Sequence, residues 1–328
     1  MDRIREIGEN IKKSDFFKGS VLFDGSMAER TTMRTGGTAP VIAEPEDAPS
    51  AAYAVWLSHK EHIPVFVLGG GSNTIAPDGQ LKALVLSLSR INTISYNDGI
   101  LTCGAGAKMT DIVDFCASHW LSGLESFSGL PGTAGGAAYM NARCYDKSIS
   151  DVFAAANCLN VEKIHKSTVF NVADFTKIHH NDREEWSYKH SPFQTTGEII
   201  MKVSFSVTEC EHTVKSAERI TALNAKYVHD RELKGHFRAP SAGSVFKNDR
   251  SIGKPSGVLV DEAGLKGLRI GGAQVAPWHG NFIINTGSAT SADIAELVKA
   301  VQETVRQKTG FTLKPEIIFM ENSENFIF

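Results

Sequence analysis

The amino-acid sequence predicts an α+β protein of two or three domains. Three observations carry that reading. At 328 residues the chain exceeds one ordinary domain of roughly 150, and a chain that long buries most of its apolar surface without disulfide or metal staples. Segments with helical spacing and segments of strand character alternate along its length. Short apolar runs end in glycine clusters, the mark of a loop at a strand's C-terminal end.

The elements follow in order. MDRIREIGENIKKSDFF is amphipathic, and ERTTMRTGGTAP after it is polar and turn-rich. Pro45 introduces a helix expected over 46–60, because proline suits a helix entry. IPVFVL (63–68) reads as a buried strand that stops at Gly69-Gly70-Gly71-Ser72-Asn73. ALVLSL, TISY and ILTCGAG, within 81–106, read as strands, and Asn97-Asp98-Gly99 supplies a hairpin turn. A helix over 110–120 places Ile112, Val113, Phe115 and Cys116 along one side. A second glycine-rich segment, 129–136, leads into AAYMNA, where small residues admit another backbone or a ligand.

Strand-like runs (VFAAANCLNV, STVFNV, EIIMKVSFSV) fill 151–207, and a long helix over 214–233 reads as a boundary. Beyond it come a glycine-marked loop at 241–244, a helix near 258–263, strands at 270–275 and 281–285, and a final helix. That helix has Ser291 near its start, Ile294, Leu297, Val298 and Val301 on one face, and Gly310 as its stop. The last domain is therefore α/β in character.

Composition narrows the function. With 34 basic and 37 acidic residues the net charge is -3, which gives no general attraction to nucleic acid or to an anionic membrane. No apolar run approaches the roughly 18 residues of a membrane span, and the N-terminus lacks signal-peptide character, so a cytoplasmic protein is expected. The 5 cysteines form neither a CxxC pair nor an even set, which points to reduced thiols and away from disulfides or a zinc ribbon. His179 and His180 lack further ligands at metal spacing and are expected at the surface, so no metal site is expected.

Three segments are candidates for chemistry. The two glycine loops expose backbone amides that suit a phosphate, or they are simply tight turns; neither has the Rossmann or P-loop spacing. Pro240-Ser-Ala-Gly-Ser-Val-Phe-Lys-Asn248 presents a hydroxyl at Ser244, which is either a proton donor or a turn serine. Leu313-Lys-Pro-Glu-Ile-Ile-Phe-Met320 carries one carboxylate, Glu316, among apolar neighbours, either a paired structural charge or an acid/base group.

Read in order, TTMRTGG (31–37), VLGGGSN (67–73), GLPGTAGGAAYMNA (129–142), SYKHSPF (187–193), PSAGSVFKN (240–248), GLKGLRIGGAQV (264–275) and LKPEIIF (313–319) resemble the UDP-N-acetylenolpyruvoylglucosamine reductases of bacterial peptidoglycan synthesis, in their shorter form. The resemblance spans about 20–320. It implies a flavoenzyme in which NADPH reduces FAD and the flavin then passes hydride to an enolpyruvyl double bond, giving UDP-N-acetylmuramate. It implies an FAD-binding fold of the vanillyl-alcohol oxidase/PCMH type in two subdomains, 1–90 and 91–212, and a substrate-binding domain over 213–328 whose 313–320 strand reaches the active site.

By the same resemblance, FAD would be held by Gly69, Gly70, Gly71, Ser72 and Asn73 with Gly129, Pro131, Gly132, Thr133, Gly135, Gly136 and Asn141. Ser244 would donate the proton and Glu316 would polarise the enolic carboxylate. The family arginine of a Y-R-x-S motif is matched by Lys189 in Tyr188-Lys189-His190-Ser191, a point charge on a flexible stem where a planar fork is usual. A second departure is Arg143-Cys144, where small residues are usual. Tyr188, Arg231, Lys247 and Asn248 would contact the UDP-sugar. The partners implied are that UDP-sugar and NADPH, on a monomer or weak oligomer. Two rivals remain: another FAD-dependent oxidase or dehydrogenase of this fold, which leaves PSAGSVFKN unexplained, and a catalytically impaired nucleotide-binding paralogue, for which Lys189 is the hint.

Overall fold

The structure is a computed structural model that describes residues 2–320 and 327. The tail after Met320, with that one exception, lies outside the described residues. After an opening helix, Asp2–Lys13, the first sheet has four strands in the order Gly19–Ser26, Thr38–Pro45, Leu84–Ser87, Val65–Leu68. The first pair is antiparallel and the other two pairings are parallel. The helix Ala48–Lys60 crosses between them, capped by Asp47, whose carboxylate accepts from the Ser50 amide at 2.8 Å. Gly19–Ser26 and Thr38–Pro45 are strands that the sequence reading did not anticipate.

The second sheet is antiparallel, in the order Thr176–His180, Phe153–Leu159, Ile199–Ser206, Ile100–Gly104, Ile94–Asn97. Its hairpin turns at Asp98 (φ 45°) and Gly99 (φ 80°), both left-handed as a two-residue hairpin requires. The helices Met109–Ser118 and Ala134–Tyr139 complete this part. Helix Val214–Leu233, read from the sequence as the opening of the last domain, lies against the middle of the chain. Ser128 Oγ is 3.0 Å from Asn224 Oδ1, Tyr145 donates to Asp230 at 2.8 Å, and Arg231 donates to the Ser128 carbonyl at 2.9 Å.

The third sheet runs Ser241–Ser244, Phe282–Asn285, Ala273–Val275, Arg269–Ile270, antiparallel throughout. Helix Ser291–Thr309 buries Ile294, Leu297, Val298, Val301 and Val305 against it; it starts in a capping box between Thr290 and Asp293 and stops at Gly310 in the left-handed region (φ 78°). Met33 and Ile75 from the first part join this core. The chain then returns: Ile318–Phe319 pairs in parallel with Thr74–Ile75, directly after the first glycine loop. That return places Glu316 beside the loop that ends at Asn73. No helix among the described residues is long and apolar enough to cross a membrane.

Candidate active site

A cleft of about 870 Å³ lies between the two glycine loops, the 187–190 turn and the C-terminal sheet. Its walls include residues 69–73, 129–133, Gly135, Gly136, Lys189, Ser244 and Glu316. The glycine loops meet backbone to backbone. A Cβ on Gly70 would lie 2.6 Å from Gly132 Cα, and one on Gly132 (φ 104°) would lie 2.7 Å from Ser72 Oγ. Only glycine permits that approach. Ser72 Oγ donates across the gap to the Pro131 carbonyl at 3.3 Å.

Opposite these loops stands the pair Lys189–Glu316, with Nζ 2.6 Å from Oε1 and side chains only 14% and 10% exposed. Each partner is anchored by its own element. Lys189 takes a left-handed backbone (φ 57°), unusual for a residue with a side chain, in a turn closed by mutual backbone bonds of Ser187 and His190. Asn141 Nδ2 donates to the Ser187 carbonyl at 2.8 Å, and Ser191 Oγ and Gln194 Nε2 donate to the Tyr139 carbonyl at 2.6 and 2.7 Å. The turn is thereby tied to the end of helix Ala134–Tyr139. Glu316 is fixed by its amide to the Val245 carbonyl at 2.7 Å and by Asn73 Nδ2 to its own carbonyl at 3.0 Å.

Ser244 ends a strand whose pairing is irregular between Ser241 and Ser244, with Gly243 left-handed (φ 73°). Such irregularities re-aim a side chain. The next residues are held by buried Asn281, which both donates to and accepts from the Phe246 backbone at 2.9 Å. Ser244 therefore sits one residue from the backbone partner of Glu316, and the three candidate catalytic groups share one cleft.

The other expected residues divide. Arg231 is buried and lines the cleft, its guanidinium 5.6 Å from the Tyr145 ring. Arg143 and Cys144 also line it; burial pushes the Cys144 thiol up, with Arg231 and Lys189 opposing. Asn141, Tyr188, Lys247 and Asn248 are not among the lining residues. Asn141 is buried, where it accepts from the Ser150 amide at 3.0 Å. Asn248 Oδ1 caps helix Ser256–Glu262 at 2.8 Å from the Ser256 amide, and the Asn248 amide donates to the Tyr188 hydroxyl at 3.4 Å.

The sequence places both His179 and His180 at the surface, and for His179 the structure corrects this. It is buried, with Nε2 2.9 Å from Glu185 and Nδ1 3.4 Å from Glu198, because its ring packs against the buried Phe193 ring, centroids 5.0 Å apart, and both nitrogens find carboxylates there. Residues that sequence reasoning left out include Thr32, Arg34, Gln194, Glu198, His236 and Arg238, all on the cleft wall. The TTMRTGG segment was the available signal for the first two. Burial, and next Arg231, lower the His236 imidazole to about 4, so it is neutral near pH 7.

The profile of the UDP-N-acetylenolpyruvoylglucosamine reductase C-terminal domain matches residues 235–320, and that of an FAD binding domain matches 39–165. The curated UDP-N-acetylenolpyruvoylglucosamine reductase of Treponema denticola is 40% identical over 322 residues, covering 93% of this chain and 94% of the relative. That of Treponema pallidum is 38% identical, covering 90% and 92%. This chain belongs to the UDP-N-acetylenolpyruvoylglucosamine reductase family. A crystal structure of the reductase from Thermus caldophilus superposes with a TM-score of 0.72 at 28% identity, covering 93% of this chain and 99% of that one. The expected α+β architecture, an FAD-binding part followed by the family's C-terminal domain, is borne out.

Within a reductase of this family the loops can be tested against FAD. The amides of Gly70, Gly71, Ser72, Gly132 and Thr133 find no acceptor among the described residues. Thr133 Oγ1 is buried without a partner on the same wall. A cluster of free donors around two side-chain-free backbones is what a diphosphate demands, so the residues present fit the cofactor. Among the described residues no cluster of metal ligands occurs.

Proposed function

We propose that this protein is an NADPH-dependent reductase in which Ser244, Lys189 and Glu316 manage the proton and the charge at the enolpyruvyl group. The coarser activity is secure: it is an FAD enzyme of peptidoglycan precursor synthesis that reduces UDP-N-acetylglucosamine enolpyruvate to UDP-N-acetylmuramate. The observation that carries the finer reading is the 2.6 Å Lys189–Glu316 pair, set in the same cleft as both glycine loops and Ser244.

Bound FAD supplies the hydride. The chain's residues do the rest. Residues 69–73 and 129–136 hold the cofactor diphosphate on backbone amides, while Asn141 ties the turn that carries Lys189 through the Ser187 carbonyl. Addition at one alkene carbon leaves negative charge on its neighbour and on the adjoining carboxylate. Lys189, positioned by its ion pair with Glu316, places a cation against that charge. The Ser244 hydroxyl then protonates the carbon, and its oxygen recovers a proton from solvent. Both charged groups are largely withdrawn from water, where their field is screened least.

Arg231 on the cleft wall, and Tyr188, Lys247 and Asn248 outside its lining, serve the UDP-sugar. The same reading places the enzyme in the cytoplasm, with the UDP-sugar and NADPH as its partners and neither nucleic acid nor membrane among them. The test is an anaerobic titration in two steps. NADPH should bleach the flavin absorbance, and UDP-N-acetylglucosamine enolpyruvate should restore it. Bleaching that the enolpyruvate fails to reverse would refute the assignment.

A further inference from the structure

The cleft is lined by five cationic side chains, Arg34, Arg143, Lys189, Arg231 and Arg238, and by two carboxylates, Glu198 and Glu316. Both carboxylates are already paired, Glu198 with Lys177 and Glu316 with Lys189, each at 2.6 Å. Arg143 reaches Asp146 at 4.0 Å, and Arg231 donates to the Ser128 carbonyl at 2.9 Å. The side chains of Arg34 and Arg238 have neither a carboxylate nor a hydrogen-bond acceptor among the described residues. Both are exposed at the cleft.

Their two segments meet on one residue, through its side chain and its backbone. Asn285 Nδ2 donates to the carbonyls of Met33 and Arg34 at 3.1 and 3.2 Å, while the Asn285 amide donates to the Pro240 carbonyl at 2.9 Å. Thr32 Oγ1 adds a bond to the Ser241 carbonyl at 2.7 Å. Each arginine also has a stiff mount. Arg34 sits in the left-handed region (φ 57°), and the Arg238 guanidinium lies 5.5 Å from the Trp278 ring, whose Nε1 is fixed to the Gly235 carbonyl at 3.0 Å. Both guanidiniums face one cleft from segments that are tied together, and planar forks suit phosphate oxygens.

In the functional reading above, on which this inference rests, the glycine loops take the cofactor diphosphate. The remaining anion belongs to whatever nucleotide enters next. We propose that Arg34 and Arg238 form a clamp for the diphosphate of that second nucleotide, either the uridine diphosphate of the substrate or the dinucleotide reductant.

The test is calorimetric titration of the FAD-loaded, oxidised enzyme with UDP and, separately, with NADP⁺, comparing wild type with Arg34→Gln and Arg238→Gln. Loss of one charge-assisted contact should weaken binding about tenfold or more, and Arg238→Lys should lose less than Arg238→Gln. Weakening confined to UDP assigns the clamp to the substrate, and weakening confined to NADP⁺ assigns it to the reductant. Weakening of both means that the two share it in turn. Affinities for both ligands within twofold of wild type would overturn the clamp, and so would variants that lose FAD. A wild-type enzyme that binds neither UDP nor NADP⁺ would instead overturn the functional reading, and the clamp with it.

Discussion

Replacing Lys189 by methionine separates stability from chemistry at the centre of the site. The Lys189–Glu316 pair is about nine-tenths withdrawn from solvent, so removing the cation leaves Glu316 uncompensated, a loss of about 3–5 kcal/mol in stability. The catalytic loss is a different quantity. One charge-assisted hydrogen bond that strengthens in the transition state contributes about 1.5–3 kcal/mol, or roughly one to two decades in rate. Pairing Lys189→Met with Glu316→Gln removes the buried charge and should recover most of the stability without recovering the rate. Lys189→Arg should retain turnover, because the guanidinium keeps the charge. The assay is stopped-flow single turnover: enzyme reduced beforehand with NADPH is mixed anaerobically with the enolpyruvate substrate, and flavin absorbance reports the second half-reaction alone. Lys189→Met should slow that step at least about tenfold and leave reduction by NADPH near wild type. Reoxidation of Lys189→Met at the wild-type rate would refute the role given to the lysine and move attention to Arg143 or Arg231.

Gly70→Ala would place a methyl 2.6 Å from Gly132 Cα, and overpacking of about 1–3 kcal/mol should weaken FAD binding roughly five- to 150-fold when apoprotein is titrated with FAD. Asn281→Ala leaves the Phe246 amide and carbonyl unpaired in a buried place, which should cost about 1–3 kcal/mol for each group in a urea melt and slow substrate reduction more than flavin reduction. Thr290→Ala breaks the capping box of the last helix and should lower stability by about 1 kcal/mol with no change in FAD content. His236 and His165 are both lowered to about 4 by burial, with Arg231 and His59 respectively as the next causes, so the unfolded chain binds more protons than the folded one between the ordinary histidine value and 4. Stability should therefore be fully present above about pH 6.5 and fall as pH drops toward 4, and His236→Phe should flatten part of that slope in urea midpoints measured against pH.

Much of this was legible in local sequence. The glycine loops, the hairpin at Asp98-Gly99 and the last helix with its Gly310 stop each depend on residues within a few positions of one another, so composition and spacing report them. Strand Gly19–Ser26 escaped because its residues are mostly half-buried or exposed and alternate weakly, and Thr38–Pro45 because two prolines sit in its apolar run. The clamps that build the site had no local signal at all. Asn281 meets Phe246 across 35 positions, Asn73 meets Glu316 across 243 and Asn285 meets Met33 across 252, and an isolated asparagine carries no mark of such a partner. His179 misled for the same reason. Its carboxylate Glu198 arrives on a strand pairing that single-sequence periodicity does not specify. Lys189 and Glu316 could each be singled out, but their contact follows from the return of the final strand onto Thr74–Ile75.

The most direct test of the account uses Ser244→Ala loaded with FAD. The loops and the reduction of the flavin by NADPH do not need the hydroxyl, so NADPH should bleach the variant's flavin at the wild-type rate. The enolpyruvate substrate should then restore the colour about two or more orders of magnitude more slowly than in wild type, the usual contribution of a positioned acid. Recolouring as fast as wild type would contradict the assignment of the proton to Ser244 and, with it, the claim that the glycine loops hold the flavin against this serine.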